Sequence, residues 1–244
     1  MNLLNTVRHY RPVWLKPHAH CSFCGIAVES SLPLCHGCET DLPWLMGHCT
    51  QCAIPLHCEG LVCGACLKKP PTFDHVAAPW LYGFPINSAI NRFKHQKQWP
   101  LGRLLADLQA RHLLDAFDNG LPRADVLLPV PLAAKRQRER GYNQAAMLAR
   151  WLGKSLKVPV ADDVVQRIQE TPAQQGLDAA QRHKNLRNAF VVRNPKAIRN
   201  RSVALIDDVL TTGATAETLA RLLKREGVLR VDIYCLARTP RPGD

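Results

Sequence analysis

Apolar residues fall along this chain in two alternating rhythms. Residues 203–206 (Val-Ala-Leu-Ile) form a short unbroken apolar run, with the length and branching of a strand buried on both faces. Leu219, Leu222 and Leu223 then keep helical spacing, Lys224 and Arg225 charge the last turn, and Gly227 supplies a stop, predicting a helix over 215–226. Residues 231–236 read as a final strand, with Cys235 a core thiol. The same alternation occurs upstream. Residues 75–83 are strand-like but contain Pro79, which places them at a sheet edge. Ile86, Ile90 and Phe93 predict one helix, and Leu101, Leu104, Leu105, Leu108, His112 and Leu113 a second. Residues 125–130 predict another buried strand, and Ala145, Leu148, Ala149 and Leu152 a helix beyond it. Residues 168–188 are polar, Gln-rich and weakly periodic, and they lead to a strand that ends at Val192. Strands alternating with helices predict an α/β domain on a parallel sheet, over 74–240.

Two of these strands run into candidate chemistry. Asp207 and Asp208 stand where the 203–206 strand is expected to end. Thr211, Thr212, Gly213, Ala214 and Thr215 then form a short loop into the next helix. A small loop at a helix N-terminus offers unpaired N–H groups and a positive dipole end, which suit a phosphate. Gly213 lets the backbone approach an anion, and the threonine hydroxyls add donors. The two acids repel a phosphate but fit polyol hydroxyls, such as a ribose diol, or a metal. Acids and an anion cradle in one turn point to a sugar phosphate. The 125–130 strand runs into a basic stretch, Lys135, Arg136, Arg138 and Arg140, read as a loop ahead of the helix after Gly141. Cations at the carboxyl end of a parallel strand suit a pyrophosphate. Lys94, on the helix through Phe93, reads as part of a solvated helix face, with a phosphate contact as the alternative.

Cysteine and charge are unevenly spread. The pairs Cys21/Cys24, Cys35/Cys38, Cys49/Cys52 and Cys63/Cys66 each have a two-residue spacer, which turns both thiolates toward one metal. The gaps from Cys24 to Cys35 and from Cys52 to Cys63 are equal, as in a duplicated unit with two four-cysteine zinc sites over 18–70. Sequential and cross-braced pairings of the four knuckles both satisfy this spacing. Gly25 and Gly64 follow knuckle cysteines, where a left-handed turn residue is useful. Cys58 is left over, and reads as a loop thiol or a substitute ligand. Four cysteines per site leave no coordination position for water, so the metals would be structural. No secretory segment or membrane-spanning run is read in the chain, and reduced thiols in a cytoplasmic protein are expected. The chain has 32 Lys/Arg against 20 Asp/Glu; residues 1–80 hold five of each, so the whole +12 lies beyond them. That excess favours anionic partners, a polyphosphate or a nucleic acid.

The 203–215 stretch resembles the phosphoribosyl-pyrophosphate (PRPP) signature of type I phosphoribosyltransferases: four apolar residues, two acids, an apolar pair, then Thr-Thr-Gly-x-Thr, matched at every position. Pro129-Val130-Pro131, the basic run and Arg140-Gly141-Tyr142-Asn143-Gln144 resemble the ComF family, phosphoribosyltransferase-like proteins tied to competence and DNA uptake or use. Arg167, Thr171, Gln174, Leu177, Arg182, Asn185, Leu186 and Phe190 follow that family's spacing, as does a cysteine-rich zinc-ribbon module ahead of the transferase domain. The resemblance covers nearly the whole chain from Cys21. It implies a type I phosphoribosyltransferase-like fold, with Asp207 and Asp208 as the catalytic acids on the ribose and 211–215 on the 5′-phosphate. Lys135, Arg136 and Arg140 would face pyrophosphate, and Mg²⁺ would be held largely by PRPP and water. It also implies a mobile loop over 168–188 that closes the site. The implied reaction displaces pyrophosphate from C1 of ribose toward an unidentified acceptor. The family's link to DNA implies an alternative, a non-catalytic accessory protein that binds single- or double-stranded DNA and DNA-uptake proteins. Aromatic residues are sparse, so phosphate contacts rather than base stacking would carry such binding.

Overall fold

The computed structural model describes residues 19–168 and 189–240. The chain divides into two compact units, Met1–Asp41 and Leu42–Asp244. The division falls between the two cysteine tetrads.

In the first unit, β1 (Ala19–His20) pairs antiparallel with β2 (Ala27–Val28), and a short helix α1 (His36–Thr40) follows Cys35. The second unit opens with the same construction. Cys21 N–H donates to Ile26 O and Cys49 N–H to Ile54 O, both at 2.8 Å; Ser22 N–H donates to Pro33 O and Thr50 N–H to Leu61 O, both at 2.9 Å. A helix α2 (Gly64–Lys68) follows Cys63 as α1 follows Cys35. The duplication legible in the cysteine spacing is thus repeated bond for bond. The left-handed position of the first copy is Gly25 (φ 80°), as expected. In the second copy it is Ala53 (φ 53°), not Gly64, which instead opens α2 where no positive φ is needed.

The rest of the second unit is built on a parallel sheet. Its strands are β3 (His75–Ala77), β4 (Trp80–Leu81), β5 (Val126–Pro129), β8 (Ser202–Leu210) and β9 (Arg230–Arg238), in the order β3-β9-β8-β5, with β4 also along β9. Pro79 interrupts the edge between β3 and β4, where a missing N–H costs no ladder bond; its carbonyl accepts Leu45 N–H instead. Four helices flank the sheet or lead to it: α3 (Ile86–His95), α4 (Trp99–Asp118), α6 (Gln144–Leu156) and α7 (Ala214–Arg225). Residues 203–206 are fully buried, which explains why they lack the polar alternation of a one-sided strand. Val203 and Leu205 share a core with Val231, Ile233 and Leu219 and Leu223 of α7. Helix α6 lies against β5 and β8, with α4 packed on α6. Phe93 of α3 presses on α4 at Gly102, where an added Cβ would come within 2.5 Å of the ring. This close approach fixes the last turn of α3.

Strands β6 (Val165–Arg167) and β7 (Phe190–Val192) pair antiparallel. The loop expected to close the site, 168–188, lies outside the described residues apart from Ile168. Among the described residues no helix is long and apolar enough to cross a membrane.

Candidate functional site

Strand β8 does not end at Ile206. It continues through Asp207 and Asp208 to Leu210, because β9 continues beside it: Asp207 pairs with Cys235, Val209 with Ala237 and Leu210 with Arg238. On its other side β5 stops, with Pro129 opposite Ile206. The acids therefore sit on an edge that opens where the neighbouring strand ends, at the carboxyl end of a parallel sheet.

Asp208 is 4% exposed, and its Oδ1 forms an ion pair with Lys94 Nζ at 2.8 Å. Its Oδ2 is buried and meets no hydrogen-bond donor among the described residues. A buried carboxylate oxygen without a donor is costly, so this atom is poised for a ligand hydroxyl or a cation. Asp207 Oδ1 accepts the Asp208 N–H at 2.8 Å. Burial, and then the adjacent Asp208 charge, push the Asp207 carboxyl up to about 7, against the opposing pull of that N–H and of Lys94. Cys235, its register partner, is buried as expected of a core thiol, and burial pushes it up to about 12.

Thr211, Thr212 and Gly213 follow β8, and α7 begins at Ala214. Gly213 takes φ 78° as the residue that caps α7, a conformation that needs glycine. Ala214 N–H donates to Thr212 Oγ1 at 3.4 Å. The loop is held from behind by Arg238, whose Nη1 donates to the carbonyls of Leu210 and Thr211 and whose Nε donates to Cys52 O at 3.0 Å. Arg238 thereby engages the carbonyls on both sides of the turn from β8 into the loop.

The basic run is not a loop. Residues Ala134–Arg140 form a helix, α5, ended by Gly141 at φ 84°. Asn143 then caps α6, accepting Ala145 N–H at 2.9 Å, while its Nδ2 donates to Val130 O at 3.1 Å. Winding the run into a helix separates its cations. Arg136 and Arg140 line a small pocket of about 170 Å³ with Lys94, His95, Lys97 and one acid, the exposed Glu139, whereas Lys135 and Arg138 are exposed outside it. Arg140 Nη1 is buried and has no acceptor among the described residues. Burial, then the charges of Arg140 and Lys94, push His95 below its ordinary range, so it adds no charge at neutral pH. Arg167 stacks over Phe190, with its guanidinium carbon 5.6 Å from the ring centroid; burial and the Arg136 charge lower its pKa.

Lys94 is thus not on a solvated face: its side chain is 17% exposed and joins the basic pocket to the acids. Arg238 lies beyond the residues read as the last strand, 231–236. The residues themselves are visible, Lys94 and Lys97 around one helix end and a lone arginine closing an apolar strand, but nothing near them in sequence names their partners.

The cysteines form two tetrads, Cys21/Cys24/Cys35/Cys38 and Cys49/Cys52/Cys63/Cys66, with ligand atoms in each within 4.8 Å of one another. The pairing is sequential, not cross-braced. Cys24 and Cys35 sulfurs are 3.7 Å apart, as are Cys52 and Cys63. Tetrahedral zinc with bonds of about 2.3 Å sets sulfurs about 3.8 Å apart, so both tetrads fit structural zinc. Cys58 is exposed and belongs to neither. The second tetrad is tied to the sheet by Arg238 at Cys52 O, by His75 Nδ1 and Thr50 O at 3.0 Å, and by Thr72, whose N–H and hydroxyl both donate to Glu217 of α7 at 2.8 Å.

A phosphoribosyl transferase domain matches residues 140–243, and the parallel sheet flanked by helices is the type I phosphoribosyltransferase fold. The chain is 37% identical to competence protein F of Haemophilus influenzae over 207 residues, 84% of this chain and 90% of that protein. It is 34% identical to the DNA utilization protein YhgH of Escherichia coli over 220 residues, 90% of each. A solved adenine phosphoribosyltransferase aligns with 59% of this chain and 72% of its own, at 16% identity and a TM-score of 0.39.

Proposed function

This chain belongs to the competence protein F (ComF) family, and from that premise we propose that it binds PRPP and transfers its phosphoribosyl group, in support of DNA uptake or use. The observation that carries this reading is the buried, donorless Oδ2 of Asp208 on an open strand edge, a few residues before a glycine-capped anion loop. Asp207 and Asp208 accept the ribose hydroxyls. Thr211, Thr212, Gly213, Ala214 and Thr215 hold the 5′-phosphate, with donors from backbone and hydroxyls. Arg136 and Arg140, joined by Lys94, face the leaving pyrophosphate; Lys135, exposed at the start of α5, contributes at longer range. PRPP's diphosphate and water would largely hold Mg²⁺, and the ion would supply electrostatic stabilisation of the leaving group. The cations of the basic pocket stabilise the charge that develops on pyrophosphate as the bond to C1 breaks. Excluding water protects the activated C1 for the acceptor.

Calorimetry of the zinc-replete protein with PRPP and Mg²⁺ tests this. PRPP is expected to bind at least about tenfold tighter than ribose 5-phosphate, a difference of about 1.4 kcal/mol, because only PRPP also fills the basic pocket. Pyrophosphate should compete with PRPP. Equal affinity for PRPP and ribose 5-phosphate would remove the basic pocket from the site, and no heat with either would remove the acids and loop.

The positive charge of residues 81–244, beside relatives named for DNA utilization, favours a second reading in which the same domain binds DNA through phosphate contacts. Affinity for DNA is then expected to fall at least about a hundredfold between 50 and 200 mM salt. An affinity that stays level over that range would discard it.

A further inference from the structure

The anion loop has a second neighbour. Thr211, Thr212 and Gly213 also line a cavity of about 720 Å³, to which neither Asp207 nor Asp208 contributes. The cavity lies within Leu42–Asp244, between the loop, the first turns of α7 and the residues around the second tetrad. Its apolar surface includes Ile54 and Phe73, both buried, with Pro70 and Pro71 beside them. Three cations border it, Lys69, Arg221 and Arg238, the last already engaged with main-chain carbonyls. Its one carboxylate, Glu217, is already engaged by Thr72 and by Arg221 at 2.8 Å, and two tetrad cysteines, Cys52 and Cys66, also line it. The volume falls in the range of small-molecule sites, and an apolar lining with a few convergent polar groups is their usual chemistry.

The direction of a bound sugar phosphate follows from what each end touches. The acids connect through Lys94 to the basic pocket. The loop connects to the apolar cavity. A ribose with its hydroxyls on the acids and its 5′-phosphate on the loop turns C1 toward the basic pocket and its 5′ end toward the cavity. The acceptor at C1 is therefore not what fills this space. A ligand that ends in a 5′-phosphate monoester, as PRPP does, stops at the loop and leaves about 720 Å³ unused.

We infer that the site also takes a phosphoribosyl group extended through its 5′-phosphate, a dinucleotide of the ADP-ribose class whose second nucleoside occupies the cavity. The first phosphate sits on the loop, and the second falls to Arg221 and Lys69. The base lies against Phe73, Ile54 and the two prolines. Arg221 is pre-set for this role by its contact with Glu217, which holds the guanidinium on the cavity side of α7. This inference rests on the reading that the acids and the loop hold a phosphoribosyl group, and its test separates the two.

The full-length, zinc-replete protein is titrated by calorimetry with ribose 5-phosphate, PRPP, ADP-ribose and AMP. ADP-ribose is expected to bind at least about tenfold tighter than ribose 5-phosphate. Trp introduced at an exposed lining position, Pro240→Trp or Ala65→Trp, removes that advantage and leaves the affinity for ribose 5-phosphate unchanged. Pro240 lies far in sequence from every tetrad cysteine, so this variant reports on the cavity even if the α2 variant disturbs the metal. If PRPP and ribose 5-phosphate bind and ADP-ribose gains nothing, the extension is overturned and the phosphoribosyl reading stands. AMP whose binding Pro240→Trp leaves unchanged overturns it as well, since the adenosine half then sits outside the cavity. Failure of every sugar phosphate overturns both.

Discussion

Asp207→Asn combined with Asp208→Asn is expected to lower PRPP affinity by at least about a hundredfold. Each charge-assisted hydrogen bond from a ribose hydroxyl contributes about 1.5–3 kcal/mol, and the pair of carboxylates supplies more than one of them. An asparagine amide accepts with one atom only and turns a donor toward the other hydroxyl. The Asp207→Asn change alone has a second consequence, with the opposite sign. The Asp207 carboxyl is pushed up from an ordinary value of 3.8 to about 7 in the folded chain. The folded state then holds this proton more tightly than the unfolded state between those limits. The group's contribution to stability is full below about 3.8 and is lost as pH rises through about 7. Asparagine carries no charge to desolvate, and its Oδ1 still accepts the Asp208 N–H. Asp207→Asn should therefore raise the melting temperature at pH 8 and raise it by less at pH 5, while weakening the ligand at both. For wild-type protein, PRPP affinity should climb as pH rises through about 7 and the carboxylate ionises. Calorimetry and thermal melts at the two pH values check this. A variant that melts lower at pH 8, or a double variant that binds PRPP within tenfold of wild type, would remove Asp207 and Asp208 from the ribose site.

How far the sequence reveals this site follows from how local each contact is. The acids, the loop and α7 lie in one contiguous turn between β8 and α7, and such a turn keeps its meaning when read alone. The ladder that carries β8 past Ile206 does not, because it comes from β9, and the apolar run by itself gives no reason for the strand to continue through two acids. Lys94 meets Asp208 from another helix, and Arg238 meets Cys52 across 186 positions. No pattern within either neighbourhood marks such pairings. The basic stretch at 134–140 shows a different limit. It has no apolar periodicity, so it reads as a loop, yet alanine, lysine, arginine, glutamine and glutamate are all strong helix formers and Gly141 is a helix stop. Propensity and the terminal glycine are the signals that favour a helix here, and a reading by periodicity passes over them. The left-handed residue of the second copy was hidden for the opposite reason: alanine at φ 53° is disfavoured, and only the repeat of the first copy's hydrogen bonds explains why it is held there.

The two metal tetrads should differ sharply in what their loss does. Cys49, Cys63 and Cys66 are buried together with Ile54, and Cys52 also packs against the core under α7. Arg238 links the carbonyl of Cys52 to the carbonyls of Leu210 and Thr211, so the second tetrad and the anion loop share one side chain. Structural zinc in small sites binds with about 10–16 kcal/mol, comparable to the 5–15 kcal/mol that holds a whole domain folded. Cys66→Ser is expected to reduce bound zinc from about two per chain to about one and to abolish PRPP binding, with a large fall in melting temperature or outright failure to fold. Cys38→Ser removes the other metal from a unit that ends at Asp41. It should also leave about one zinc, but the melt of the sheet and the affinity for PRPP should stay near wild type. Should Cys66→Ser prove insoluble, stepwise zinc removal from wild-type protein by a chelator gives the same comparison, because PRPP binding should be lost with one metal and not the other. The link through Arg238 also predicts the reverse effect. Bound PRPP orders the loop, and by reciprocity it should slow release of the zinc held by the second tetrad. A Cys66→Ser chain that lacks this zinc yet binds PRPP as wild type does would show that the loop holds its shape without the ribbon. A Cys38→Ser chain that loses PRPP binding would show that the first unit is not independent of the site.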